Sequence, residues 1–161
     1  LFSDQKDARQ DSIKNFSKKI KVAKEAADNK DFFVIARIES IILGKTINDA
    51  LIRADAYSKA GADCILIHSK SDSPKEIINF ARRFKKSKYY IPLVCVPSTY
   101  SIAKEKQLIK EGFRIIIYAN QLLRSAYRAM SKTALGILKN KRAFEVDKEI
   151  TKIKEILTLI K

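Results

Sequence analysis

Glycine is scarce in this chain, and the four present, at positions 44, 61, 112 and 136, stand too far apart to build a GxGxxG or GxxxxGK[ST] phosphate cradle. Two cysteines and a single histidine leave no pair with zinc-ligand spacing. No GxSxG elbow offers a serine nucleophile. No run reads as a signal peptide, a membrane-spanning segment, a low-complexity tract or an interdomain linker. Cys64 and Cys95 lie inside apolar runs, which predicts buried, reduced thiols of a cytoplasmic protein.

Acidic residues are also short, 18 against 33 Lys plus Arg, for a net charge of +15. Such a balance raises nucleic acid as a partner. The lysines, however, are spread along helix faces among Glu and Asp, and the densest cluster, Arg82, Arg83, Lys85, Lys86 and Lys88, has only Tyr89 and Tyr90 beside it. A solvated basic surface is the plainer account, so neither a nucleic-acid nor a membrane partner is expected. An anionic substrate fits the same charge.

What the chain does have is four apolar runs, FFVIARIE, ADCILIH, IPLVCVP and RIIIYAN, each ending in a polar residue or a proline and each followed by a helical pattern. Near-continuous apolar runs mark strands buried on both faces, and their spacing leaves room for one helix and two short loops each time. The pattern predicts parallel β/α units, with functional groups at the strand ends.

Thr46 and Asp49 open a helix whose stripe is Ile47, Ala50, Leu51, Ala54 and Tyr57, closed by Gly61 as a left-handed cap. Ser73 as N-cap, Pro74 at the first helical position and Glu76 as the reaching carboxylate predict a second, with Ile77, Phe80, Ala81 and Phe84 inward. A third is expected from about Ile102 to Lys110, stopping at Gly112. A long one follows Asn120, with Leu123, Tyr127, Met130, Ala134 and Ile137 on one face and a basic end at Lys139, Lys141 and Arg142. Amphipathic helices are expected over 11–27 and along Val146, Ile150, Ile153, Leu157 and Ile160, both packing against the sheet or a neighbouring subunit.

A chain of 161 residues that is 46% hydrophobic suffices for one domain, whereas a whole eight-unit barrel needs roughly 250. An open four-strand half would expose two sheet edges. The chain begins at Leu1, and its only methionine is Met130. The expected fold is therefore α/β: one domain over 1–161, the C-terminal half of a TIM-type β/α barrel of about four βα units plus a C-terminal helix. Its N-terminal half would be cleaved, disordered or supplied separately.

Arg37 and Glu39, two apart, share a face of the first strand. They form either a structural ion pair or a guanidinium fork held ready for a carboxylate or phosphoryl group. His68 ends the second strand, ahead of Ser69 and Lys70, where a lone histidine in this fold serves the active site. Asn120 either ends the fourth strand functionally or caps the next helix.

The motifs ARIE, AGADCILIHSK, VPSTY and YANQLLRS, in this order across nearly the whole chain, resemble the phosphoenolpyruvate phosphomutase branch of the isocitrate lyase superfamily. Lyase branches of that superfamily carry an acidic residue where His68 stands, so IHSK favours the phosphonate-handling enzymes. The resemblance implies interconversion of phosphoenolpyruvate and phosphonopyruvate with Mg²⁺. It makes Arg37 and His68 the catalytic and substrate-binding residues, with Glu39, Ser69 and Asn120 as supports. It also implies a homotetramer of dimers exchanging the helix over 121–139, where Ser125, Ala126 and Ala129 allow close approach. The family's metal-holding acidic residues come from earlier strands, and its mobile loop of EDKxxxKxNS type would end just before Leu1. These residues alone are thus expected to hold no metal at the family site. Phosphonopyruvate hydrolase shares ARxE and IHS and stands second to the mutase; a C–C lyase, an inactive half-barrel subunit and an RNA-binding fragment are the further alternatives.

Overall fold

Four short parallel strands, each but the last followed in sequence by a helix that returns the chain to the sheet, make up the first part of the molecule. The computed structural model describes residues 9–27 and 31–159. Its elements run α1 (Ile13–Ala26), β1 (Ile35–Ile38), α2 (Ile47–Lys59), β2 (Cys64–Ile67), α3 (Lys75–Phe84), β3 (Leu93–Cys95), α4 (Glu105–Lys110), β4 (Phe113–Ile116), α5 (Gln121–Asn140) and α6 (Ile153–Leu157). The chain divides into two units at Ala119 and Asn120.

In the first unit the strands are ordered β1-β2-β3-β4, every neighbouring pair parallel. The expected strands are all present, shortened to their buried centres. Because side chains alternate across a strand, each strand serves two environments. Ala36, Ile38, Ile65, Ile67, Leu93 and Cys95 join the helix-covered core with Ala54, Tyr57, Phe80, Phe84 and Leu108. On the opposite face Cys64, Leu66 and Val94 form a smaller cluster. Each fully buried Ile or Phe contributes about 1.5–3 kcal/mol, so the larger core holds the helices on their side of the sheet. Among the described residues β1 and β4 each pair on one side, and Phe32 and Phe33 before β1 and Ile35 at its start are exposed.

Caps explain where the helices begin. Ser12 accepts a hydrogen bond from Asn15 N at the start of α1, and Thr46 accepts one from Asp49 N at the start of α2. Gly61, at φ +104°, turns the chain out of α2 in the left-handed region. Asp63 then accepts from Val34 N at 2.7 Å and pairs with Lys24 of α1 at 2.9 Å, clipping α1 to the entry of β1 and β2.

Several boundaries differ from the sequence pattern. α3 starts at Lys75, with Pro74 as the residue before it; Ser73 Oγ takes the Lys75 N–H at 3.4 Å, and Glu76 receives a hydrogen bond from Ser69 instead of reaching back. Likewise Asp49 takes hydrogen bonds from Ser40 and Arg53. In both places the carboxylate is taken by other donors, while the hydroxyls of Thr46 and Ser73 still receive backbone N–H groups. α4 starts at Glu105, because Tyr100 to Ala103 close a separate turn and leave Ile102 exposed.

In the second unit α5 ends at Asn140, so of the expected basic end only Lys139 lies in its last turn and Lys141 is its left-handed cap; none of its residues is buried. The expected helix along Val146 to Ile160 shrinks to α6, and Ile160 lies outside the described residues. Lys141 reverses the chain at φ 55°, and turns carry Val146 back onto α5. There Val146 Cγ1 occupies the space a Cβ on Gly136 would fill. Lys132 pairs with Glu149 beside it. These contacts replace helical bonds over 143–150.

Candidate active site

Parallel register carries the first strand's polar residues to the second strand's end. Arg37 is paired with Leu66, so both point to the face away from the helices, and two residues on along each chain stand Glu39 and His68. The His68 N–H donates to Ile38 O at 3.4 Å, continuing the ladder one step past β2. Three side chains from two strands thus meet at the C-terminal edge of the sheet.

Arg37 Nε donates to Glu39 Oε1, Arg37 Nη2 lies 2.5 Å from His68 Nδ1, and His68 Nδ1 lies 3.1 Å from Glu39 Oε2. All three residues are partly buried, their side chains 22–37% exposed. Burial pushes the Glu39 carboxyl up, but the neighbouring His68 and Arg37 outweigh it and hold the group below its usual range. The structural ion pair expected of Arg37 and Glu39 is present, and it fixes the guanidinium. Such a fork offers several N–H donors to an anion placed against it.

Ser69 and Asn120 do not join this cluster in the same way. Ser69 is buried; its hydroxyl donates to Glu76 and accepts the Ser71 N–H at 3.0 Å, while its carbonyl accepts from Thr99 Oγ1 at 3.3 Å. It shapes the loop that carries His68. Asn120 sits at the N-cap position of α5, but its side chain makes no cap bond, and its N–H meets Gln121 Oε1 at 3.2 Å.

One polar network went unnoticed in the sequence. Arg53, 5% exposed, donates to Asp49 Oδ2 at 3.0 Å, to Tyr57 Oη at 2.9 Å and to the Asp11 carbonyl at 2.8 Å. Asp49 also accepts from Ser40, which is fully buried next to Glu39 and itself accepts from Gln10 Nε2 at 3.2 Å. The network ties the segment entering α1 to the loop that leaves β1. The Asp49 to Arg53 spacing of four on a helix was a readable signal; the long-range carbonyl partner was not.

Cys64 and Cys95 are both free and buried, and burial pushes the Cys95 thiol up to about 12. Among the described residues no three His, Cys, Asp or Glu side chains gather as a metal site, and no helix is long and apolar enough to cross a membrane.

A family profile described as phosphoenolpyruvate phosphomutase matches residues 2–138. The chain is 36% identical over 155 residues to the phosphoenolpyruvate phosphomutase of Tetrahymena pyriformis, covering 95% of this chain and 51% of that protein. It is 38% identical over 158 residues to the phosphonopyruvate hydrolase of Variovorax sp. strain Pal2, covering 95% and 53%. Among solved structures, a phosphoenolpyruvate phosphomutase from Streptomyces platensis subsp. rosaceus superposes with a TM-score of 0.87 at 38% identity, over 94% of this chain and 53% of that one. A phosphonopyruvate hydrolase in complex with oxalate and Mg²⁺ superposes with a TM-score of 0.86 at 34% identity, over 96% and 55%. The chain spans about half the length of the curated relatives it matches, and its four strands and helices align with half of the phosphomutase barrel.

Proposed function

Because the chain belongs to the phosphoenolpyruvate phosphomutase family, within the isocitrate lyase superfamily, we propose that it contributes half of an active site that interconverts phosphoenolpyruvate and phosphonopyruvate. The observation that carries this reading is the Arg37, Glu39 and His68 cluster at the C-terminal ends of adjacent parallel strands, where barrel enzymes assemble their chemistry.

The reaction rearranges one molecule. The P–C bond of phosphonopyruvate breaks, its electron pair stays with the three-carbon unit as the enolate, and the enolate oxygen forms the new P–O bond. No proton is gained or lost. A loose, metaphosphate-like transition state spreads negative charge over the phosphoryl oxygens, so the protein's work is positioning and charge stabilisation. Arg37 would hold the migrating group through its N–H donors, and Glu39, which takes Arg37 Nε, would stop the guanidinium from turning away. His68 would donate to the same group or to the pyruvyl unit beside it. Ser69 would support them by holding the loop after β2, and Asn120 from the start of α5.

Mg²⁺ accompanies oxalate in the hydrolase structure, and we propose that the mutase reaction uses it too. The described residues do not fit the ion by themselves: Glu39 is the one carboxylate recorded in the cluster, and it is engaged by Arg37 and His68. Other groups of the whole enzyme would hold the metal, whose charge would stabilise the pyruvyl oxygens.

The 38% identity to a phosphonopyruvate hydrolase supports a second reading, in which water takes the phosphoryl group and the enolate takes a proton. Phosphorus NMR of the protein with phosphonopyruvate and Mg²⁺ separates the two. A phosphoenolpyruvate signal supports the mutase, inorganic phosphate supports the hydrolase, and an unchanged spectrum overturns both.

A further inference from the structure

We infer that Arg37 and Glu39 compete for one nitrogen of His68, and that Arg37 wins, so that the pair acts as a positioning device holding His68 as the neutral tautomer with its proton on Nε2. Nδ1 carries either a lone pair or a hydrogen, so it cannot accept from Arg37 and donate to Glu39 at once. The guanidinium approach, at 2.5 Å, is the closer one; the Glu39 Oε2 approach is 3.1 Å. With a hydrogen on Nδ1 the closer contact would set two donors against each other, whereas a lone pair there makes a charge-assisted hydrogen bond. Arg37 is held to this task from its other side, because its Nε is taken by Glu39 Oε1.

The consequence lies at the other ring nitrogen. Nε2 meets no hydrogen-bond partner among the described residues, so a proton fixed on it is free for a ligand, and His68 presents a donor without itself carrying charge. The arrangement also has a second state. If the ring gains a proton on Nδ1, that hydrogen has Glu39 Oε2 as its acceptor and Arg37 Nη2 must withdraw. Protonating His68 therefore exchanges its partner and releases Arg37 from the ring. The charged groups against the imidazole are Arg37 of β1 and Glu39 just after it. On its own loop Lys70 follows two residues later, and Val96, Pro97 and Ser98 at the end of β3 bring no titratable group.

The tautomer rests on geometry, and only its catalytic meaning rests on the proposed function, so its test reads no activity. Ring ¹⁵N labelling of histidine, with the signal assigned by difference against His68→Asn, reports which nitrogen carries the proton. At neutral pH the expected result is a proton on Nε2 and a pyridine-like Nδ1. Arg37→Ala should move the proton to Nδ1, toward Glu39, while Glu39→Gln should leave it on Nε2. A wild-type ring protonated on Nδ1, or one averaging between the two tautomers, overturns the inference without touching the proposed reaction. So does an Arg37→Ala spectrum unchanged from wild type. The wild-type spectrum alone decides the matter if a variant does not fold.

Discussion

Arg37 and His68 are 31 residues apart in sequence, and Arg37 Nη2 reaches to 2.5 Å from His68 Nδ1. The contact exists because β1 and β2 pair in parallel with Arg37 opposite Leu66. His68 stands one residue past β2, where its N–H still reaches Ile38 O, so the strand pairing carries most of the contact.

Removing either member should therefore slow the proposed reaction and spare the fold. Arg37→Ala and His68→Ala each delete a donor in a preorganised site, and each is expected to lower kcat by roughly a hundredfold to a thousandfold. Both side chains are partly exposed and lie outside the main core, so circular dichroism should stay that of wild type. Full turnover in both variants would remove the site assignment.

Arg53 makes the opposite prediction. Arg53→Met would keep the apolar stem but leave the Tyr57 hydroxyl, the Asp49 carboxylate and the Asp11 carbonyl short of a donor. Unmade bonds to buried groups cost about 1–3 kcal/mol each group, and the expected loss of folding stability is about 2–3 kcal/mol in total, since Asp49 keeps Ser40 and some solvent. The urea midpoint reads it. A midpoint within error of wild type would mean that the network contributes nothing net.

How much of this could be read from the sequence follows from which interactions are periodic. The alternation that put Arg37 and Glu39 on one face, the apolar centres of β1 to β4 and the caps at Thr46 and Gly61 are local patterns, and they appear in the fold as expected. Arg53 reaching the Asp11 carbonyl is nonlocal, and a backbone acceptor leaves no mark in a sequence. The turns over 143–150 were concealed for a related reason: Val146 and Ile150 fit a helical stripe, but the pocket at Gly136 is what places Val146. Sequence also singled out Arg37 and His68 separately without indicating that they touch, because register is set by the pairing of whole strands.

Acid should destabilise the fold through its paired carboxylates. Hydrogen bonds from Lys19 and Asn15 bring Asp11 to about 2; for Asp49 and Asp63 burial pushes upward, but Arg53 with Ser40, and the Val34 N–H with Lys24, outweigh it and hold them low, as His68 and Arg37 do for Glu39. Each folded value lies below the unfolded one, so the unfolded chain binds more protons in between. The stability these groups supply is complete above the ordinary carboxylate range, near pH 4–4.5, and drains away as pH falls toward about 2. Urea midpoints should be flat down to that range and then drop, and Asp63→Asn should shallow the drop. Loss of acidic charge also raises a net charge already at +15. Salt would screen that repulsion, whereas partly buried pairs respond less, so a drop fully cancelled by salt would contradict the pairing account.

α5 sets the last expectation. Leu122, Leu123, Tyr127, Met130, Leu135 and Leu138 are all exposed on it, and none of its residues is buried. Water disfavours so much apolar surface on one helix, and the small residues Ser125, Ala126 and Ala129 lie between the large ones. We propose that the helix is exchanged between copies in a homotetramer, which covers this surface. Light scattering on the full-length protein should give the mass of four chains, and Leu123→Glu with Tyr127→Glu should lower it while leaving the strands, which form in the other unit, intact by circular dichroism. The charges act where the surface is buried, so their effect separates exchange from a merely wet helix: a wild-type protein of monomeric mass, or a tetramer indifferent to both substitutions, removes α5 from the interface.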